Sequence, residues 1–189
     1  MRVMLIDDDR ERLAMLDAAL VAEGHLVVAR LMGQDDLLTA VANHQPEIIL
    51  IDVDAPGRDT LETLGMISRD RPRPIVLFAA ESDADTIRRA MQAGVSAYVV
   101  DGLAQARLKP VMNVAIARFH EYQALKGQLE EARIQLADRK DVERAKGLLM
   151  ERRKLSEPEA FDALRKLAMD KSIRIGEAAR MLIAAAELL

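Results

Sequence analysis

Val3-Met4-Leu5-Ile6-Asp7-Asp8-Asp9 opens the chain with a short apolar run that ends on aspartates. Ile48-Ile49-Leu50-Ile51-Asp52-Val53-Asp54-Ala55-Pro56-Gly57 repeats the pattern, an equally apolar run closed by acid and turn-formers. A run of about four to eight apolar residues bounded in this way reads as a strand buried on both faces. Residues 26–29, 75–78 and 97–100 add further runs, so five strands are expected with 3–6 and 48–51. Between them, Leu13, Leu16 and Leu20, or Ile87, Ala90 and Met91, recur with helical period. Gly24 and Gly94 fall where those helices should stop. This alternation specifies an α/β domain, a doubly wound parallel sheet with helices on both sides.

In such sheets function gathers at the carboxyl ends of the strands. Here that edge is acidic: Asp7, Asp8 and Asp9 end the first strand and Asp52 ends the third. Asp9 is also well placed to cap the following helix. Crowded carboxylates repel unless a cation offsets them, and magnesium prefers all-oxygen sites. Asp7-Asp8 after one strand and Asp52-Val53-Asp54-Ala55-Pro56-Gly57 after another resemble the response-regulator receiver family, whose fold is flavodoxin-like and five-stranded. The resemblance covers residues 1–118. It implies Asp52 as phosphoacceptor and Asp7, Asp8, Asp52 and Asp54 as the magnesium site, with magnesium a weakly held cofactor. Ala93-Gly94-Val95-Ser96-Ala97-Tyr98 matches the approach to the fifth strand.

Two positions depart from that pattern. Receivers usually carry Thr or Ser at the end of the fourth strand, where this chain has Ala79, and Lys at the end of the fifth, where it has Asp101-Gly102. The hydroxyl and ammonium normally bond the phosphoryl group and draw two loops toward it. Ala79 offers no donor, and Asp101 replaces attraction with repulsion. Control by a protein partner is therefore expected over control by phosphate. Without the threonine, Tyr98 reads as a half-buried core residue rather than a rotamer switch.

Beyond Pro110 the pattern becomes one long helix. Val111, Ala115, Tyr122, Leu125, Leu129, Ala132 and Leu136 alternate steps of three and four, a heptad seam flanked by charge. Pro110 marks where this helix leaves the first domain. Residues 111–137 form a connector that either pairs with a second copy through Leu125, Leu129, Ala132 and Leu136 or packs within its own chain.

Charge divides unevenly. Residues 1–118 hold 13 basic and 18 acidic residues, whereas 119–189 hold 14 and 13. The basic excess lies between Arg139 and Arg174. Residues 138–189 read as three short amphipathic helices. Ser156-Glu157-Pro158-Glu159 is a capping box, and Ala160, Phe161, Leu164, Leu167 and Ala168 form one apolar face. Val142, Ala145, Leu149 and Met150 are expected inward on the helix before it. A last helix from 177 to 188 supplies Ala178, Ala179, Leu182 and Ile183. Phe161 is expected buried, and Met150 and Met169 are expected as packing residues.

Ala145-Lys146-Gly147-Leu148-Leu149-Met150, Glu159-Ala160-Phe161, Leu164-Arg165 and Ala168-Met169 resemble the ANTAR family of RNA-binding, antiterminating modules. The solvent-facing cations Arg139, Lys146, Arg153, Arg165, Lys166, Lys171 and Arg174 are then the expected RNA contacts. Asp101-Gly102-Leu103 and Arg107-Leu108-Lys109-Pro110 look most like the NasT-type branch, linked to nitrate assimilation. That branch implies a nitrate-binding, NasS-like sensor as partner, and a leader RNA with paired hairpins carrying hexanucleotide loops. A homodimer is expected.

Other chemistries find little support. No G-x-S-x-G, Walker loop or G-x-G-x-x-G is present, and His25, His44 and His120 are scattered. No catalytic residues are expected. There is no cysteine, no apolar stretch long enough for a membrane span and no signal-peptide pattern, so a cytoplasmic location follows. DNA is not the expected partner, because the last helix begins Glu177-Ala178-Ala179 rather than with basic reading residues. Two alternatives stay open: a phosphorylation-controlled regulator served by a histidine kinase, and a helical protein-interaction adaptor without RNA binding.

Overall fold

The computed structural model describes residues 1–33, 35–80, 83–100 and 105–187. The chain divides into two compact units, Met1–Gln123 and Ala124–Leu189. The first is built on five parallel strands: β1 (Arg2–Asp7), β2 (Leu26–Leu31), β3 (Ile48–Val53), β4 (Ile75–Ala79) and β5 (Ala97–Val100). Their order is β2-β1-β3-β4-β5, the expected flavodoxin-like arrangement. The helices between them are α1 (Arg10–Ala22), α2 (Leu37–His44), α3 (Arg58–Asp70) and α4 (Ala84–Gln92).

Alternate residues of each strand serve two separate cores. Met4, Ile6, Ile49, Ile51, Ile75 and Leu77 pack with Val41, Leu61, Leu64, Ile67 and Ala90 from α2, α3 and α4. Val3, Leu5, Ile48, Leu50, Val76 and Phe78 pack with Leu16 and Leu20 of α1. Burial on both faces is why these strands read as unbroken apolar runs. Gly24 and Gly94 adopt φ of 82° and 92° just past the ends of α1 and α4, the left-handed region that favours glycine.

The long helix α5 runs from Gln105 to Arg153. Pro110 does not mark its departure from the first unit. Leu108, Met112 and Ala115, on both sides of the proline, are buried in the second core. Early in a helix a proline forfeits only one backbone bond, and this apolar packing outweighs it. α6 (Glu157–Asp170) and α7 (Ile175–Glu187) complete the second unit. Its first helix is the end of α5 itself, which continues without a break from the seam residues. The tail of the expected last helix, Leu188, lies outside the described residues. Among the described residues no helix is long and apolar enough to cross a membrane.

Candidate functional site

The register of the two central strands sets Asp7 opposite Asp52 at their carboxyl ends. Both are nearly enclosed, at 1% and 5% exposure. Asp9 caps α1 as expected, its carboxylate accepting the Glu11 and Arg12 N–H groups at 2.9 and 3.2 Å. That cap holds the first turn of α1 against the acidic edge, and Arg12 reaches into it. Its Nε donates to Asp7 Oδ2 at 2.6 Å and its Nη2 to Asp7 Oδ1 at 2.7 Å, a two-bond fork. The same Nε lies 3.3 Å from Asp52 Oδ2. Bonding to Asp7 holds the guanidinium above its ordinary pKa, against the opposing cost of burial.

The expected magnesium ligands reach one edge but do not form a cage. Asp7 Oδ1 also accepts the Asp9 N–H at 2.8 Å, so both Asp7 oxygens are engaged. Asp8 turns toward the loop after β2 and accepts the Gly33 N–H at 2.7 Å. A Cβ at position 33 would meet the Asp8 oxygens at 2.8 and 3.0 Å, so glycine is what permits that approach. Asp54 is exposed on the rim of the depression lined by Asp8, Arg12 and Asp52. Among the described residues, no group of three or more carboxylates or histidines is set to hold a metal ion. A magnesium ion takes one or two carboxylates and completes its octahedron with water, and as arranged Arg12 already holds the Asp7 carboxylate it would use.

Ala79 is fully buried at the end of β4, in register with Val53 and Val100. An apolar methyl thus sits where receivers usually carry a hydroxyl donor. Tyr98 is half-buried against the first core, and its hydroxyl has no hydrogen-bond partner among the described residues. Asp101, Gly102 and Leu103 lie outside the described residues.

In the second unit, Ala145, Leu149, Ala160, Leu164, Ala168, Ala178, Ala179 and Ile183 form the core. So many alanines bring helix backbones close together and leave larger neighbours outside. Phe161 is accordingly 41% exposed and Met169 69% exposed, with Met150 exposed as well, against the expectation that all three pack inward. Lys146 is the opposite correction. It is only 8% exposed, and its ammonium lies 2.7 Å from Glu157 and 3.0 Å from Glu143. Its charge joins α5 to the start of α6 rather than facing solvent.

Arg139, Arg153, Arg165, Lys166, Lys171 and Arg174 are exposed as anticipated. Glu159 closes the capping box, accepting from the Ser156 N–H and hydroxyl at 2.8 and 2.6 Å. Arg180, not singled out in the sequence, ties α7 to α5 through Asp138 and Asp141 at 2.6 and 3.2 Å. A Cβ at Gly176 would overlap the Asp138 side chain, so glycine lets these two helices meet.

The geometry coincides with two protein families. The response regulator receiver domain matches residues 3–113, over half of the chain, and the ANTAR domain matches residues 130–183. The transcriptional regulatory protein PdtaR of Mycobacterium tuberculosis is 33% identical over 184 residues, covering 96% of this chain and 89% of its own length. The chain belongs to the ANTAR response regulators.

This ANTAR response regulator is also 40% identical over 83 residues to the nitrate regulatory protein of Klebsiella oxytoca, covering 44% of this chain and 21% of that protein. Two solved receivers share its fold. One belongs to a modulated diguanylate cyclase of Desulfovibrio desulfuricans (22% identity, TM-score 0.55, 64% of this chain, 97% of that one). The other is a CheY-like receiver of Methanospirillum hungatei (18%, 0.55, 64% and 97%). The regulator is not an enzyme: its relatives are transcriptional regulatory proteins with the same two domains. ANTAR domains bind RNA, and receiver domains interact with sensor kinases and generally hold magnesium at an acidic site. The arginine at this acidic edge, Arg12, was not singled out in the sequence, where a first-turn arginine beside the aspartates was the signal available.

Proposed function

We propose that this protein is a cytoplasmic antiterminator that binds paired hairpins in nascent leader RNA. In this reading it is held inactive by a nitrate-sensing, NasS-like protein and freed by release from it, rather than switched by phosphate. The observation that carries the RNA reading is the ANTAR match over residues 130–183. Support comes from the exposed side chains of that unit. Phe161 and Arg165 lie one turn apart on α6, so they share a face. Together they offer a base-stacking surface beside a phosphate-binding cation. The nitrate pathway draws on the likeness to the Klebsiella protein, and partner control draws on Ala79 and Asp101.

The receiver proposed here spans residues 1–118, the connector 111–137 and the RNA-binding module 138–189. Leu125, Leu129, Ala132 and Leu136 are all exposed along α5, which favours pairing with a second copy of the connector. Two linked modules would engage two hairpins on one RNA with an avidity that neither module has alone.

The test is a gel shift of the full chain against a two-hairpin leader, a single hairpin and duplex DNA, across a salt series. Binding that favours the two-hairpin RNA and weakens as salt rises is expected. Equal affinity for all three, or none for RNA, overturns the reading and leaves the protein-interaction adaptor. The second reading, a phosphorylation-driven regulator, is favoured by one observation: Asp7 and Asp52 remain paired in register at the strand ends.

A further inference from the structure

Asp7 and Asp52 are two nearly enclosed carboxylates side by side, an arrangement that is strongly unfavourable without a positive charge. The guanidinium of Arg12 supplies one. It takes Asp7 through both oxygens at 2.6 and 2.7 Å and stands 3.3 Å from Asp52. Three donors now converge on Asp7, two from Arg12 and one from the Asp9 backbone. A metal ion and Arg12 therefore compete for that carboxylate. Nothing distant from the site is needed to place the arginine. The Asp9 cap fixes the first turn of α1, and Arg12 lies in that turn.

We propose that Arg12 is the resident counter-ion of the acidic edge, occupying the position that a divalent cation would otherwise need and making the receiver largely indifferent to magnesium. The charge arithmetic makes this a real competition. A dication would offset both carboxylates, whereas Arg12 offsets one. The dication must shed some of its water to bind, and Asp8 accepts the Gly33 N–H instead of turning toward Asp7 and Asp52. Arg12 is already tethered and presents a planar fork matched to a carboxylate. The pocket so filled keeps one charge state across the magnesium range of a cell. This inference concerns the receiver alone and does not rest on RNA binding.

The test compares the full-length wild type with Arg12→Gln and Arg12→Lys, using magnesium alone as the probe. Calorimetric titration is followed by thermal melts in the presence and absence of millimolar magnesium chloride. Wild type should give little binding heat and no magnesium-dependent change in melting. Arg12→Gln should melt lower by roughly 5 °C or more, since it removes the guanidinium charge from between two buried carboxylates. It should also bind magnesium about tenfold or more tightly, with part of its melting temperature restored. Arg12→Lys, with the charge but without the fork, should fall between. Wild type that binds magnesium as tightly as Arg12→Gln, or a folded Arg12→Gln that gains no affinity, overturns the proposal. Should Arg12→Gln fail to fold, the wild type still decides. The Arg12 Nε–H resonance should exchange slowly and stay unmoved by millimolar magnesium, and its displacement by the ion refutes the assignment.

Discussion

At the scale of single residues, charge alone misleads about which cations face a ligand. Lys146 and Arg165 both lie on helices of the RNA-binding unit, yet Lys146 is closed in between Glu143 and Glu157 while Arg165 is exposed. Opposite outcomes are expected on mutation. Lys146→Met, close in volume, should leave RNA affinity within about twofold of wild type, because no phosphate contact is lost. Arg165→Ala should weaken binding at every sequence tested and reduce the slope of log affinity against log salt by about 1. A salt series by gel shift on both variants checks the pair. The reverse ranking would make Lys146 the contact after all.

At the scale of elements, α5 serves two purposes along one helix. Its buried residues Leu108, Met112 and Ala115 belong to the receiver core, and Ala145 and Leu149 to the second unit. The seam residues between them are exposed, with Leu129 at 54%. Leu129→Lys should place charges against each other between paired helices and weaken self-association at least about tenfold, or ~1.4 kcal/mol. Sedimentation across a concentration series reads this directly, and an unchanged assembly state would count against the seam. The hairpin of α5 and α6 should also be acid-sensitive. The hydrogen bond from Lys146, and then its charge, hold the Glu157 carboxyl below its usual value near 4.5. Donating to Glu157 and then to Glu143 holds the Lys146 ammonium above its usual 10.5. A lowered carboxyl contributes fully above its ordinary pKa and is lost as pH falls through the depressed one. A raised ammonium contributes fully below its ordinary pKa and is lost as pH rises through the higher one. The pair therefore supports the module between those limits. Melting of the wild type should decline on the acid side, and Glu157→Gln should flatten that limb.

At the scale of the whole molecule, the question is what moves the regulator between its states. A conformational switch requires a ligand that binds one state better than the other. A phosphoryl group on Asp52 would find a buried methyl at Ala79 and Arg12 already committed to Asp7. Asp52→Asn should therefore leave antitermination largely intact, and a small phosphodonor should change RNA affinity by less than about twofold, or ~0.4 kcal/mol. Transcription assays on wild type and Asp52→Asn, with and without the candidate sensor, separate the two modes of control. Loss of activity in a folded, dimeric Asp52→Asn would establish the phosphorylated route instead.

Local pattern was enough to specify most of the architecture. Short apolar runs placed all five strands, Gly24 and Gly94 ended their helices, Asp9 capped α1, and Asp7 and Asp52 were legible at one edge. These features depend on neighbours a few residues away or on burial common to a whole strand, and a sequence displays both. Tertiary structure alone decided the rest. Which side of a helix is closed depends on how near its partner lies, and the alanines of the second unit bring their partners close enough to leave Phe161 and Met169 outside. Lys146 is covered because Glu143 and Glu157 converge on it from two helices. The occupant of the acidic edge was settled in the same way. Asp7 and Asp52 are 45 residues apart in the chain, and only the folded register brings both within reach of one guanidinium.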